Sequence, residues 1–245
     1  MTIDLNCDLG EGMSNDAAII PYISSANIAC GYHAGDDTTI RKTIELCLQH
    51  NVAIGAHPGF HDKPNFGRTP MHLSSGELYN CVRKQLKIIS KCCDEMGAKL
   101  HHVKPHGAMY NMAAKDRLIS ATIAKVVKEF DPKLFFYGLS GSCMIEEAEH
   151  IGLKTVNEVF ADRTYQSDKT LTPRTQKGAL IEDILDAEDQ VLQMIIEKMV
   201  TTLNGKKIYI QADTVCVHGD GPSSLELTKH LHASLLRNNI QIKTI

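Results

Sequence analysis

Seven times along these 245 residues a short strand-like run ends in a polar, glycine-containing segment, and a helical or loop stretch follows. The runs are Ile3–Asn6, Ala26–Cys30, Val52–Ala56, Leu100–Lys104, Leu134–Leu139, Lys154–Val159 and Thr214–Val217. They are short and lack long clean alternation, as expected of strands buried on both faces of a parallel sheet. Between them, Ile40, Ile44, Cys47 and Leu48 form one helical apolar stripe, and Leu78, Val82, Leu86, Ile89 and Cys93 another. Ser74 with Glu77 reads as a capping box, Gly97 and Gly152 as helix stops, and Pro222 as a first-turn residue. Ile181, Leu185, Leu192, Ile195, Met199 and Leu203 outline a long helix ending near Gly205. No linker, repeat or low-complexity tract interrupts the series, so residues 1–245 read as a single α/β domain. A closed, seven-stranded (β/α) barrel fits better than an open doubly wound sheet. Ile240–Ile245 is expected to be a last short strand with no assignable partner.

Composition excludes several classes. A net charge of -3 and a pI near 6.4 give no electrostatic case for nucleic acid, and no Lys/Arg stripe runs along a helix. No export signal opens the chain, and no apolar run approaches the roughly 18 residues of a membrane span. A soluble, cytoplasmic protein is expected. The eight cysteines contain no C-x-x-C pair, so reduced thiols are expected rather than disulfides or a thiolate metal knuckle.

The chemistry is expected in the polar segments. These are residues 6–12 (NCDLGEG), 31–36 (GYHAGD), 55–62 (GAHPGFHD), 104–107 (KPHG), 138–142 (GLSGS), 158–163 (EVFADR) and 217–220 (VHGD). In a parallel β/α fold all strand C-termini share one face, so these loops converge. Asp8 reads as a general base or metal ligand, or more plainly as a cap. His33, His57, His106 and His218 could each be structural singly, but all four share the expected face. Lys104, ending a buried strand, reads as reaching an anion or the site, or more plainly as snorkelling to the surface. Asp162-Arg163 is either a loop ion pair or an anion-gripping fork, and Arg68 and Arg174, in long loops, are either further anion contacts or solvated surface residues. His50, His72, His101, His102, His150, His230 and His232 fall on helices or strand starts and are set aside. No phosphate-cradling G-x-x-x-x-G-K-[ST] loop, G-x-G-x-x-G turn or H-E-x-x-H helix is present. Ser140 lacks nucleophile-elbow spacing and reads as a turn or cap residue.

The strings DLNCDLGEG (4–12), SANIACGYHAGD (25–36), IGAHPGFHD (54–62), FGR (66–68), HVKPHGAMYN (102–111), EVFADRTY (158–165), LTPR (171–174) and VHGD (217–220) together resemble the LamB/YcsF family. The resemblance covers essentially the whole chain. It implies a seven-stranded barrel similar to the glycoside hydrolase/deacetylase superfamily. It also implies a cyclic-amide hydrolase activity: ATP-dependent opening of 5-oxo-L-proline to L-glutamate, carried out with 5-oxoprolinase subunits B and C. ATP is then a co-substrate of the complex. Thr69, Lys169 and Gly221 depart from the family pattern, where a second Arg, a Gly and a hydroxyl residue are usual.

Loop reading and resemblance together make Asp8, His33, His57, Lys104, His106, Asp162 and His218 the expected catalytic set. Asn6, Glu11, Asn27, Arg68, Asn111, Glu158, Arg163, Arg174 and Asp220 are expected to bind substrate or phosphate. By analogy with related deacetylase-like barrels, Asp8, His57 and His106 form an expected divalent-metal set. The alternative is a metal-free site in which Asp8 orients one His as base. Two other functions stay open at this stage: a stand-alone metal-dependent deacetylase or amidohydrolase, and a non-catalytic carbohydrate- or ligand-binding barrel.

Overall fold

The computed structural model describes residues 1–219, 221 and 223–245. Seven parallel strands close into a barrel: β1 (Thr2–Leu9), β2 (Ser25–Ala29), β3 (Ala53–His57), β4 (Leu100–Val103), β5 (Phe135–Leu139), β6 (Lys154–Phe160) and β9 (Thr214–His218), with β9 pairing back to β1. Helices α1 (Asp16–Ile19), α2 (Asp37–His50), α3 (Ser75–Glu95), α4 (Gly107–Ala113), α5 (Arg117–Phe130), α6 (Cys143–His150), α7 (Ile184–Leu192) and α8 (Ser224–Arg237) connect and surround them. The expected barrel is therefore the observed one. The Ser74/Glu77 capping box opens α3, with the Ser74 hydroxyl accepting from the Glu77 N–H and the Glu77 carboxylate accepting from the Ser74 N–H. The reading of Pro222 falls outside the described residues.

Side-chain alternation decides what lies inside. On β1, Ile3, Leu5, Cys7 and Leu9 join the apolar core, while Asp4, Asn6 and Asp8 are buried on the other face. Period-two geometry sends the second set together into the barrel. The lumen is consequently polar and layered. At the lowest layer Asp4 accepts from Ser24, Ser25, Tyr137 and Thr214 hydroxyls at 2.6–3.0 Å. Above it Asn6 donates to Thr214 Oγ1 and accepts from Asn27. Asp8 tops the column and faces the loops. Each of these polar groups has a partner, which a buried polar network requires. The apolar core lies outside the barrel, between the sheet and its helices.

Two expectations change. The long helix toward Gly205 stops early: α7 runs into one π-helical turn at Gln193–Glu197, and Lys198 turns the chain with φ 56°. Met199 then enters a small antiparallel hairpin of β7 (Met199–Thr201) and β8 (Lys207–Tyr209). The apolar spacing of Met199 and Leu203 fits helix and strand alike, and the left-handed residue settles it. The C-terminal segment does find a partner, since β10 (Gln241–Ile242) pairs in parallel with the start of β1. All eight cysteines are free thiols. Among the described residues no helix is long and apolar enough to cross a membrane.

Candidate active site

The ends of β1, β3, β4, β5, β6 and β9 and the loops after β3, β4 and β6 surround a cavity of about 710 Å³ at the open end of the lumen. Asp8, His57, Lys104 and His218 line its floor, with Tyr110, Arg68, Arg163 and Arg174 around the sides and rim.

Lys104 is the central cation. It is 1% exposed, and its Nζ lies 2.8 Å from both Asp8 Oδ1 and Glu158 Oε1. An ammonium this deep is tolerated only when paired. Burial pushes Lys104 down, but Asp8 and Glu158 outweigh it and hold the group well above the ordinary lysine range. Burial likewise pushes Asp8 up, yet the Lys104 ammonium holds it well below the usual carboxylate range. Asn6 and Asn27 sit one layer below, fully buried, and do not line the cavity. They hold Asp8 and Lys104 in place: Asn27 donates to Asp8 Oδ1 at 2.8 Å, and Lys104 donates to Asn6 Oδ1 at 3.4 Å. Among the described residues, Glu158 reaches the site through Lys104 and lies beside the Tyr110 phenol.

Beside this pair stand Glu11, His33, His57 and His106, each with one ligand atom within 4.8 Å of all the others. Their backbone partners fix how the rings are protonated. His57 Nδ1 lies 2.7 Å from the Lys104 carbonyl and His106 Nε2 lies 2.8 Å from the Phe66 carbonyl. A carbonyl only accepts, so those two nitrogens carry the protons in neutral rings. The lone pairs of His57 Nε2 and His106 Nδ1 then face each other at 2.9 Å, with Glu11 Oε1 3.3 Å from His106 Nδ1. Both ring nitrogens of His33 are buried without a hydrogen bond, and its Nε2 faces Glu11 Oε1 at 3.4 Å. Burial pushes His33 down to about 2 and holds His106 well below the ordinary histidine range. Acceptors thus converge on one point, an arrangement that could hold a shared cation. His33 and His106 stack flat at 3.8 Å, a fit made by Gly67, where a Cβ would come within 2.7 Å of the His33 Cβ.

This cluster differs from the expected set of Asp8, His57 and His106. Asp8 lies alongside: its Oδ1 is engaged by Lys104 and Asn27, and its Oδ2 is 3.4 Å from His57 Nε2. Glu11 and His33 complete the donor group instead. Asp162 does not pair with its neighbour Arg163. Both its oxygens contact His218 Nδ1 at 2.8–2.9 Å, forming a carboxylate–imidazole dyad at the cavity. Burial pushes Asp162 up, but His218 outweighs it and the group is lowered. Arg163 is buried, donates to the Thr172 carbonyl and leaves its Nε without a hydrogen bond. Burial, then crowding by Arg174, pushes its guanidinium down to about 10. Arg68, Asn111 and Arg174 are exposed and line the cavity. Asp220 lies outside the described residues.

Ser140 is a turn residue whose hydroxyl accepts from the Gln211 N–H, and Ser142 caps α6. Among the departures, Thr69 donates its N–H to Asp62, and Gly221 has open space where a side chain would stand. Lys169 adopts φ 69°, a left-handed conformation that favours glycine. Sequence reasoning sets His102 aside, yet it is fully buried in the lumen, 2.8 Å from Asn27 Oδ1. Its two-residue offset from Lys104 places both on one strand face, and that signal is present in the sequence.

Fold and site define a closed, seven-stranded parallel β/α barrel with a charged, histidine-rich centre at its mouth. The chain belongs to the LamB/YcsF family, whose model matches residues 3–245. It is 48% identical to the A component of 5-oxoprolinase from a strain of Bacillus cereus, over 99% of this chain and 98% of the relative. It is also similar to the crystal structure of a lactam utilization protein from Thermus thermophilus, with TM-score 0.94 and 39% identity over the whole of both chains. A family 4 carbohydrate esterase from Streptomyces lividans shares the fold at TM-score 0.54 and 10% identity, over 100% of this chain and 92% of that one.

Proposed function

We propose that this chain is the lactam-opening component of a 5-oxoprolinase, converting 5-oxo-L-proline to L-glutamate in a complex that hydrolyses ATP to ADP and phosphate. The observation that carries the reading is Lys104, fixed between Asp8 and Glu158 at the cavity floor beside the histidine cluster and the Asp162–His218 dyad. An amide is opened by adding water to its carbonyl carbon, stabilising the oxyanion and protonating the departing nitrogen. The names of the similar proteins, an oxoprolinase component and a lactam utilization protein, point to a cyclic amide.

Each demand has a residue. Lys104 supplies positive charge toward the developing oxyanion. The Asp8 carboxylate, adjacent to His57, takes the proton of the attacking water. His218 is held by Asp162 through Nδ1, which leaves Nε2 to give a proton to the ring nitrogen as the C–N bond breaks. Arg163, buried and short of an acceptor, with Arg68 and Arg174 at the rim, suits the substrate carboxylate or a phosphoryl group. The donor set of Glu11, His33, His57 and His106 suits zinc or another first-row divalent ion. Such an ion would polarise the substrate carbonyl or its attacking water.

ATP enters because ring opening alone is unfavourable. Phosphorylating the amide oxygen activates the carbon; one water then opens the ring, and a second releases phosphate from the resulting acyl phosphate. The chain has no phosphate-cradling loop, so the phosphoryl transfer falls to the partner subunits B and C. The test is incubation with 5-oxo-L-proline and ATP, with and without those partners. Glutamate is expected only from the assembled complex. Oxoproline-dependent ATP hydrolysis by the isolated chain would overturn the division of labour. Release of acetate from an acetylated sugar by the chain alone would favour a free-standing deacetylase.

A further inference from the structure

We propose that His102 is a positioning residue, which holds the Asn27 amide in the one orientation that donates to Asp8. The inference rests on the reading that Asp8 acts in lactam opening, but its geometry stands independently. The Asn27 amide nitrogen lies 2.7 Å from Asn6 Oδ1 and 2.8 Å from Asp8 Oδ1. The Asp8 carboxylate can only accept, so this end of the amide is the NH₂ group. The other end, Asn27 Oδ1, must then accept, and the atom facing it at 2.8 Å is His102 Nε2. His102 Nε2 therefore carries the proton.

The ring has nowhere else to go. It stacks on Tyr137 with centroids 4.1 Å apart and planes 16° from parallel. The Tyr137 hydroxyl is itself tied to Asp4 at 3.0 Å. On the neighbouring strand β3, a Cβ on Gly55 would fall 2.1 Å from His102 Nε2. The β3–β4 register shifts between Ile54 and Gly55, next to the ring. The missing side chain of Gly55 makes the room in which His102 is set. Burial and the nearby His101 and Lys104 hold the ring well below the ordinary histidine range, so it stays neutral, with its lone pair at Nδ1. His101 Nδ1 faces that lone pair at 3.1 Å and supplies the donor, so its Nε2, 3.1 Å from the exposed terminal Ile245 oxygen, carries no proton while the ring is neutral.

Without the His102 N–H, a flipped Asn27 amide would turn its oxygen against Asp8. Asp8 Oδ1 would keep only its bond to Lys104, and the carboxylate would be free to rotate. The loss concerns the reacting geometry rather than the cavity wall, so kcat falls while KM holds.

The experiment uses His102→Leu, His102→Gln and Gly55→Ala in the assembled complex, with NMR of isotope-labelled histidine on the full wild-type chain. His102→Leu and Gly55→Ala are expected to lower kcat about tenfold, the scale of one neutral hydrogen bond, with KM within about twofold. His102→Gln, which keeps an N–H donor, is expected to recover most of that loss. The wild-type His102 is expected as the Nε2–H tautomer. A folded His102→Leu at near wild-type kcat, or His102→Gln no better than His102→Leu, overturns the proposal. An Nδ1–H tautomer overturns it even if no variant folds. A wild-type complex that opens no lactam defeats the functional reading, while the tautomer still tests this one.

Discussion

Replacing Lys104 by methionine removes a buried cation while keeping most of its volume, and leaves Asp8 and Glu158 facing one another. Each oxygen lies 2.8 Å from Nζ, so the two are no farther apart than twice that distance. At an effective dielectric near 20, each contact is worth about 6 kcal/mol of attraction, and the two carboxylates repel by about 3 kcal/mol. Returning the lysine to water in the reference state offsets much of the lost attraction. The expected net cost is about 3–5 kcal/mol, the range for removing one partner from a buried pair. For a chain of this size that lowers Tm by about 6–20 °C. Glu158→Gln leaves a neutral Asp8–Lys104 pair and should cost less. The double variant should recover at least about 1 kcal/mol over Lys104→Met, because the repulsion is gone. In the wild type, Asp8 is held low by Lys104 against burial, so its contribution is present above the unfolded value of about 3.9 and lost as pH falls through the folded one. Without Lys104 the carboxylate pair is instead raised, and the penalty grows as pH rises through the raised value. Denaturant melts from about pH 5 to about pH 8 should therefore show a widening deficit for the variant. The reasoning is refuted if Lys104→Met lies within about 1 kcal/mol of wild type at every pH. In the complex the same variant should lower turnover about 10²-fold or more.

The isolated chain should bind one divalent ion saturably, followed by the visible absorption of cobalt, and His33→Ala should abolish the signal; an unchanged spectrum would remove His33 from the set. Asp162→Asn, which disturbs the tautomer of His218 while keeping its size, should lower kcat about 10²-fold or more with little change in KM. A loss confined to KM would assign the dyad to substrate binding. Lys169→Gly relieves a left-handed lysine at φ 69° and should leave stability unchanged or raise it by up to about 1 kcal/mol. A clear fall in Tm would mean that Lys169, whose ammonium lies over the Tyr209 ring, contributes through that contact.

Strand ends are legible in the sequence because glycine and polar residues follow each one, and in a parallel fold that is also where chemistry collects. Lys104 and the histidine-bearing loops emerge from that logic alone. The lumen does not. Alternation in β1 is plain once Asp4, Asn6 and Asp8 are taken as a polar face, but over so short a run it passes for the weak pattern of a strand apolar on both sides. The same ambiguity hides His102. The donor cluster needs three dimensions, since nothing in spacing says that Glu11 and His33 approach His57 and His106 more closely than Asp8 does. Met199 and Leu203 mislead because their spacing serves a helix and a hairpin equally, and a lysine at φ 56° gives no warning in sequence.

The pairing of β1 with β9 has a consequence for how the molecule is made. Asp4, Asn6 and Asp8 leave the ribosome some two hundred residues ahead of Thr214 and its strand. Until then the inner face of β1 lacks Thr214, the hydroxyl that Asp4 and Asn6 share. A contact spanning 210 residues, such as that of Thr214 with Asp4, closes late and slowly. The nascent chain must hold an open sheet, with two bare edges, until β9 is made. Substitutions that weaken β9 should therefore lower the yield of soluble protein well before they change the activity of the molecules that do fold.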